Sequence, residues 1–543
     1  MATLPFDLKP LADRAFCGGQ NHFTFHTGPH CPPEAGQPGW VYHAGTHMNI
    51  NRVWWPMAKP FIDYLARGSF LLQQGHFVGD VCFYYGDDAP NFVKPKHIHP
   101  TLGYGYDYDV VNTEVILKRM RVENGKLTLP GGLQYEMLVL PDREDMDVNV
   151  LKKITMLVQK GATVVGPRPT RSNGLHNYKQ RDAEIDRLAQ RLWGPCDGIE
   201  QKEHRFGEGY IMQGRPLRTI LTARGIGPDF WVEGEEMQQQ IDYIHQRDGQ
   251  ADMYFVSNAS AEPIQAECTF RVFDRAPEIW RPDTGERYTL ALYTKTKKGI
   301  RIPLSFQPHD AFFVVFRRTI QPGGILSAQD KMPYKAAREN GELAFYFKNE
   351  GDFAIQQKNK TFPITVSGIP KPLPLEGAWE LHFPPGWGAP ERTTIQHLES
   401  WTAMKNEGIQ YFSGMAEYHK DFTLPSEFLK EDIQIHLHLG QVKEMAEITV
   451  NGKRVGIVWK PPYAIDITNA AKKGKNRLSI KVANTWNNRL VGDAKNPDQK
   501  FTQTNIQYSE MWKVPWEKTP LKESGLMGPV KLEAVKRVVV KLK

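Results

Sequence analysis

Hydrophobic positions change their spacing as the chain proceeds, and each spacing predicts a different architecture. Leu8–Arg14 leads into an alternating run, Asn21-His-Phe-Thr-Phe-His-Thr27, in which Phe23 and Phe25 fall on one face of a predicted strand. A loop rich in Gly and Pro follows, through Pro29, Pro32, Pro33, Gly36, Pro38 and Gly39. A helix is then predicted from Pro60, with Phe61, Ile62, Leu65, Leu71 and Leu72 on its buried side and Gly75 as its stop. Val78–Tyr85 reads as a short strand. Strand, long loop, helix and strand is the order of a (β/α) barrel, in which the loops after the strands carry function. Residues 1–85 hold about two such units and a barrel needs eight. The segment reads as the C-terminal part of a barrel that does not close on itself.

From 86 to 225 helices and apolar strands alternate: a helix over Asn112–Val122, a strand over Tyr135–Leu140, a helix over Asp147–Lys160 and a strand over Ala162–Val165. Val150, Leu151, Ile154, Leu157 and Val158 mark the inner face of the third element, and Gly161 ends it. This is the grammar of a doubly wound α/β domain. Between 226 and 320 the period becomes two, in Met253–Asn258, Cys268–Phe273 and Ala311–Phe316, which predicts a β-sandwich. Residues 321–370 read as a linking layer. Residues 371–543 form a second all-β module with strands at Ile433–Leu439, Met445–Val450, Arg477–Val482 and Val530–Glu533, and with turns at Asn451-Gly452 and Gly474-Lys475. A jelly-roll of the sugar-binding kind suits that module. The fold class is therefore multidomain, α/β plus all-β.

Composition narrows the function classes. The 543 residues are 40% hydrophobic and 24% charged, which excludes a disordered or fibrous chain. No apolar run approaches the ~18 residues of a membrane span, so a membrane partner is not expected. The formal charge of +7 is thinly spread except for Lys536, Arg537, Lys541 and Lys543, which read as a solvated end and not as a nucleic-acid footprint. Five cysteines, Cys17, Cys31, Cys82, Cys196 and Cys268, are dispersed without a CxxC pair, which supports neither a zinc site nor a disulfide framework. The opening residues lack the basic-then-apolar pattern of a signal peptide.

Thirteen Trp in an 11% aromatic chain carry more information, because they cluster with Asn, His and Gly, as where sugars are stacked and hydrogen-bonded. The densest cluster is the first long loop, with His26, His30, Glu34, Trp40, His43, His47, Asn49, Asn51, Trp54 and Trp55. Gly28 and Pro29 keep His26 and His30 off a common helix, which excludes HExxH zinc chemistry. The substrate-binding candidates are His26, His30, His47, Asn49 and Asn51 for hydroxyl groups, with Trp54 or Trp55 facing a sugar ring. A loop whose polar groups merely satisfy its own backbone is the competing reading. Glycoside hydrolysis needs two carboxylates, and Glu34 is the only acid between Asp13 and Asp63, so no catalytic residue is assigned. Gly103-Tyr-Gly-Tyr-Asp-Tyr108 lacks the third glycine of a dinucleotide fingerprint, and no nucleophile elbow follows a strand. In the last module Trp459, Asn484 and Trp486 are candidates for a secondary sugar-binding edge or, equally, plugs of the sheet ends.

These motifs, taken in order, resemble a known family. Asp13-Arg-Ala-Phe, Asn21–His26, Pro38-Gly39, Gly45-Thr-His47, Asn51-Arg-Val-Trp-Trp55, Tyr64-Leu-Ala-Arg67 and Leu72-Gln-Gln-Gly75 resemble the end of the catalytic barrel of α-L-rhamnosidases of glycoside hydrolase family 106. Tyr254–Asn258, Phe270-Arg271, Trp280–Gly285 and Phe313–Phe316 are similar to that family's central sandwich. Val450-Asn-Gly452, Asn484-Thr-Trp486, Asn488-Arg489, Gly492-Asp493 and Gly525–Pro529 are similar to its C-terminal domain, which resembles the sugar-binding domain of family 2 glycosidases. The resemblance implies inverting release of terminal α-L-rhamnose, a rhamnose-containing glycan as partner, a calcium ion in the full-length protein and a periplasmic or extracellular setting. It places the catalytic glutamates on barrel strands ahead of this segment, supplied by a missing N-terminal barrel segment or by a partner chain. Two classes stay open: a glycoside hydrolase in its full-length form, and a non-catalytic carbohydrate-binding or structural fragment.

Overall fold

The computed structural model describes residues 3–541 except 27, 43, 44, 46, 88–90, 95, 97–101, 321–325, 329, 330, 358, 359, 510 and 512. Its first helix, α1 (Pro5–Cys17), begins at a proline, and the Asp7 carboxylate accepts from the Leu4 amide at 3.0 Å. The second, α2 (Lys59–Leu72), buries Phe61, Tyr64, Leu65, Gly68 and Leu72. Gly68 matters for contact between the two: a β-carbon there would lie 2.7 Å from the Phe16 ring. The alternating run is extended, yet the described residues of Asn21–Thr27 join no sheet. Phe23 instead packs edge-on against Phe16 at 5.0 Å. Nor does any described strand of the first 85 residues lie in a barrel sheet. Pro38-Gly39 pairs with Gln503-Thr504, His76-Phe77 joins the central sandwich, and Val81–Tyr84 is an inner strand of the following α/β domain. The α/β unit thus begins before residue 86.

Among the described residues, six strands form that domain's sheet, in the spatial order 203–206, 209–212, 163–165, 137–139, 81–84 and 108–111. All pairings are parallel except that of Glu203–Phe206 with Gly209–Met212. The first strand lies inside and the second at the edge, which is a doubly wound order. The helix Val148–Gln159 starts where Asp147 accepts from the amides of Asn149 and Val150, and Gly161 follows it at φ +110°. The helix expected over Asn112–Val122 shrinks to Val115–Arg119, because Arg121–Glu123 turns into a strand paired with Lys126–Thr128. A 16-residue helix, Tyr178–Trp193, covers the sheet with Ile185, Leu188, Ala189, Leu192 and Trp193.

Beyond Phe230 the architecture is sheet on sheet. Phe230–Val232, Ile264–Phe270, Gly299–Phe306 and Thr294–Thr296 face Ile241–Asp248, Ala251–Asn258, Ala311–Thr319 and Arg275–Trp280 across a core that includes Tyr254, Cys268, Phe270, Ile302 and Phe316. The second of these sheets does not stop at the sandwich. It continues through Arg287–Leu290, Lys335–Glu339 and Glu342–Phe347 to Lys531–Val540 and Ile433–His438, so that, among the described residues, one sheet runs through twelve strands. Ser327–Ala328, Gly351–Gln357 and Lys360–Val366 lay a three-stranded sheet against this span. The last module closes with Met415–Leu424, Gly474–Ala483 and Met445–Val450 opposite the end of the long sheet, around Trp379, Trp401, Tyr418 and Leu437. Its Asn451-Gly452 hairpin has φ of +54° and +78°, the conformation that selects those two residues.

Two buried charge groups join these parts. In the first, Lys9 donates to Asp13 at 2.6 Å and to the His309 carbonyl at 2.7 Å, and the Tyr64 hydroxyl donates to the same Asp13 carboxylate. Arg281 meets Asp310 at 2.7 Å, and Lys460 meets Asp283 at 2.9 Å and Asp310 at 3.5 Å. Burial alone would lower the Lys460 ammonium, but Asp310 and Asp283 outweigh it and hold it above the usual lysine range. In the second group the His245 ring nitrogens lie 3.0 Å from Asp229 and 3.0 Å from Asp252, and Arg271 bridges Asp229 to Asp80 of the α/β domain. Burial depresses the imidazole, the carboxylates overcome it, and His245 is held above the ordinary histidine range. Burial pushes Asp80 up to about 6 against the pull of Arg271, whereas Asp229, buried beside His245 and Arg271, is held down at about 2.

Two outcomes follow for stability. Lys460→Met leaves Asp283 and Asp310 to Arg281 alone, and urea unfolding should show a loss of about 3–5 kcal/mol, against under about 1 kcal/mol for a more solvated pair broken by Lys541→Met. The stabilisation from charged His245 is complete below its unfolded value of about 6.5 and is lost as pH rises through the raised native value. His245→Gln should therefore flatten the decline of the urea midpoint as pH rises above about 6.5.

Candidate functional site

The long loop folds onto the last module. The Gln503 amide donates to the Gln37 carbonyl at 2.8 Å, and the Asn505 side chain accepts from the Val41 amide at 2.9 Å and donates to its carbonyl at 3.0 Å. The Trp486 indole donates to the Asn51 carbonyl at 2.6 Å. These bonds bring positions separated by more than 430 residues into one wall. Opposite Ile50, Asn51 and Arg52 stand Phe383, Trp387 and Trp486, with the Trp387 and Trp486 ring centroids 5.4 Å apart. The crevice between them has a volume of about 480 Å³.

One end of the crevice is polar. Strand register sets His382 opposite Glu417 and Glu417 opposite Lys481, so that the three side chains form one row across neighbouring strands. Ser479 donates to Glu417, and the His419 ring lies 3.7 Å from the same carboxylate. Burial holds the His419 imidazole below its usual range in spite of Glu417. An apolar wall of indoles ending in a cation, a carboxylate and an imidazole can hold one face of a pyranose and hydrogen-bond its edge. Among the described residues Glu417 is the single carboxylate lining the crevice, whereas hydrolysis with inversion needs two about 6.5–9.5 Å apart.

The residues singled out in the sequence separate into four groups. Asn51 and Trp486 line the crevice. His26, His30 and Glu34 lie exposed, with the His26 ring edge-on to Tyr42 at 5.2 Å. Asn49 and Trp55 are half-buried, and the Asn49 side chain accepts from the Asn51 amide at 3.0 Å. Trp40 is exposed, whereas His47, Trp54, Trp459 and Asn484 are interior, which corrects the expectation that they face a sugar. His47 is 1% exposed and contacts the Tyr42 carbonyl at 2.7 Å, and Trp54 is 2% exposed and donates to the Thr3 carbonyl at 3.2 Å. Trp459 packs on Phe61 and Tyr64 at 5.3 and 5.8 Å. Asn484 accepts from the Gly414 amide at 2.9 Å and donates to the Phe412 carbonyl at 2.9 Å, which leaves it a brace between strands. His43 lies outside the described residues. Trp387 carries no local signal, because it sits in a Pro/Gly-rich turn, Pro384-Pro-Gly-Trp-Gly388, without a strand period to mark it. His382, Glu417 and Lys481 look like any outward positions of an alternating strand until the register joins them.

Among the described residues no group of three or more His, Cys, Asp or Glu is arranged to hold a metal. The buried carboxylates Asp283 and Asp310 are matched instead by Arg281 and Lys460. Also among the described residues, no helix is long and apolar enough to cross a membrane.

Comparison with known proteins adds a second line of evidence. Residues 1–295 match the family described as alpha-L-rhamnosidase, and residues 401–520 match the glycosyl hydrolase 2 galactose-binding domain-like family. The crevice lies where these two matched regions meet. A solved rhamnosidase from Novosphingobium sp. PP1Y is 31% identical with a TM-score of 0.81, covering 98% of this chain and 46% of its own. A Formosa agariphila protein provisionally named a beta-glucuronidase is 27% identical over 98% of this chain and 62% of its own length. The chain therefore spans about half to three-fifths of the relatives it matches.

The crevice depends on the bond between its walls. Trp486→Phe keeps the ring and removes the indole N–H, so the Asn51 carbonyl loses its donor. Urea unfolding should show a loss of about 1–2 kcal/mol; unchanged stability would mean that the loop is held by its other contacts alone.

Proposed function

We propose that this chain, which belongs to the α-L-rhamnosidases of glycoside hydrolase family 106, acts in a glycoside hydrolase that releases terminal α-L-rhamnose from glycans by inverting hydrolysis, and that its own contribution is to hold carbohydrate. The crevice between the Ile50–Arg52 loop and the galactose-binding-like domain is the observation that carries this reading, because it joins an aromatic wall to the row His382, Glu417 and Lys481. In this proposal α1 and α2 are the closing helices of a (β/α) barrel, and the last module is a jelly-roll. The acid and base of the reaction come from barrel strands outside the matched segment, since an oxocarbenium-like transition state needs a proton donor and a base together. Glu417 alone cannot fill both roles at once. That same observation favours the second reading, a non-catalytic carbohydrate-binding chain.

Purified chain incubated with an aryl α-L-rhamnoside should show no turnover above background, while rhamnose should still perturb the Trp fluorescence. Trp387→Ala and Glu417→Gln should each weaken that binding several-fold, as expected for about 1 kcal/mol per ring contact or hydrogen bond. Turnover by the chain that survives Glu417→Gln and falls with Glu34→Gln would overturn the assignment of the crevice. Absence of any sugar effect on fluorescence would overturn the binding role.

A further inference from the structure

A second concavity lies between α2 and the turn joining Arg275–Trp280 to Arg287–Leu290, and it shares none of the crevice's lining residues. Its volume is about 390 Å³, and its walls include Ala66, Arg67, Phe70, Trp280, Arg281 and Arg287. Phe70 is 65% exposed at its rim, an unusual position for a large aromatic side chain. Arg67 is fixed: it donates to the Pro282 carbonyl at 2.8 Å, and the bare Cα of Gly285 leaves room for the guanidinium, since a β-carbon there would lie 3.3 Å from it. Arg281 forms wall without free charge, because Asp310 and Asp283 neutralise it.

The surplus charge belongs to Arg287 and its neighbours. Arg287 stands 5.2 Å from the Trp280 ring centroid and has no carboxylate partner among the described residues. Arg317 stands 5.1 Å from the same ring, and Arg317 and Arg318 share one carboxylate, Glu278, which also accepts from the Trp280 indole at 2.9 Å. The nearest acid on α2, Asp63, is held by Lys59 at 2.7 Å and lies 3.7 Å from Arg67. A guanidinium held against an indole, with unspent donors, is pre-organised for a planar anion. An exposed phenyl ring beside it favours the apolar face of a ring.

We infer that this groove is a separate saccharide site selective for a sugar that carries a carboxylate, a uronate residue within a glycan. The carboxylate pairs with Arg287 and the ring lies against Phe70. The site needs no hydrolysis and no occupancy of the crevice, so the two readings succeed or fail independently.

Calorimetric titration of the full chain with an oligomer of galacturonic acid, a neutral gluco-oligosaccharide of the same length and inorganic polyphosphate tests it. The uronate oligomer should bind at least tenfold more tightly than the neutral one. Arg287→Glu should weaken it at least tenfold, Arg287→Lys by less, and Phe70→Ala several-fold, while Trp387→Ala in the crevice leaves it unchanged. Both altered side chains are exposed, so the thermal midpoint should match that of the parent chain and serves as the folding control. Equal binding of the neutral oligomer, an unaltered affinity in Arg287→Glu, or polyphosphate binding as tightly with no effect of Phe70→Ala would overturn the inference; the last outcome would leave a charged surface only.

Discussion

Six buried charges hold the geometry of this protein. Lys9, Asp13, Arg281, Asp283, Asp310 and Lys460 come from the first helix, the central sandwich and the last module, and three cations meet three anions. Each ion removed from water costs several kcal/mol, and only correctly placed partners offset that cost. The group therefore contributes less to net stability than to uniqueness of arrangement. If the N-terminal helices shifted on the sandwich, or the last module on either, a buried charge would lose its partner. The apolar cores around it tolerate small displacements; an unpaired carboxylate does not.

That fixed frame explains how a binding crevice can be built from loops. Ile50–Arg52 has no secondary structure to stiffen it, yet α2, which follows it in the chain, is anchored through Tyr64 to Asp13. The facing wall, Trp486, is anchored by the helix and strands of the last module. The indole-to-carbonyl bond then joins two surfaces already held near each other, so little conformational freedom remains to be lost on closing it.

The sequence was most legible where local rules decide. Asp147 capping its helix, the Asn451-Gly452 hairpin and the period-two runs in 251–316 all act within a few residues, and the family resemblance drew on the same motifs in order. The doubly wound domain was recognised from alternation, but Tyr178–Trp193 escaped because its charged residues leave only a narrow apolar stripe. The candidate site was less legible. His47, Trp54, Trp459 and Asn484 have the composition of a sugar site, but composition does not say which way a side chain points. Tertiary packing turned all four inward. Asn51 and Trp486 face one another only because Gln37–Val41 pairs with Gln503–Asn505, a contact with no local sequence signal. The run predicted as a strand over Asn21–Thr27 turns Phe23 onto Phe16 but, among the described residues, joins no sheet.

The long sheet carries a consequence for how the protein comes to exist in a cell. Its strand Lys531–Val540 lies between Glu342–Phe347 and Ile433–His438, bridging two modules from the interior of the sheet. Synthesis delivers that strand after both neighbours, so during translation each presents an unpaired edge for several seconds or longer, at rates of about 5–20 residues per second. Lys460 likewise emerges well after the sandwich carboxylates Asp283 and Asp310 that await it. Until Lys531–Val540 arrives the facing edges of both modules stay open to mispairing, the hazard that makes such topologies depend on chaperones.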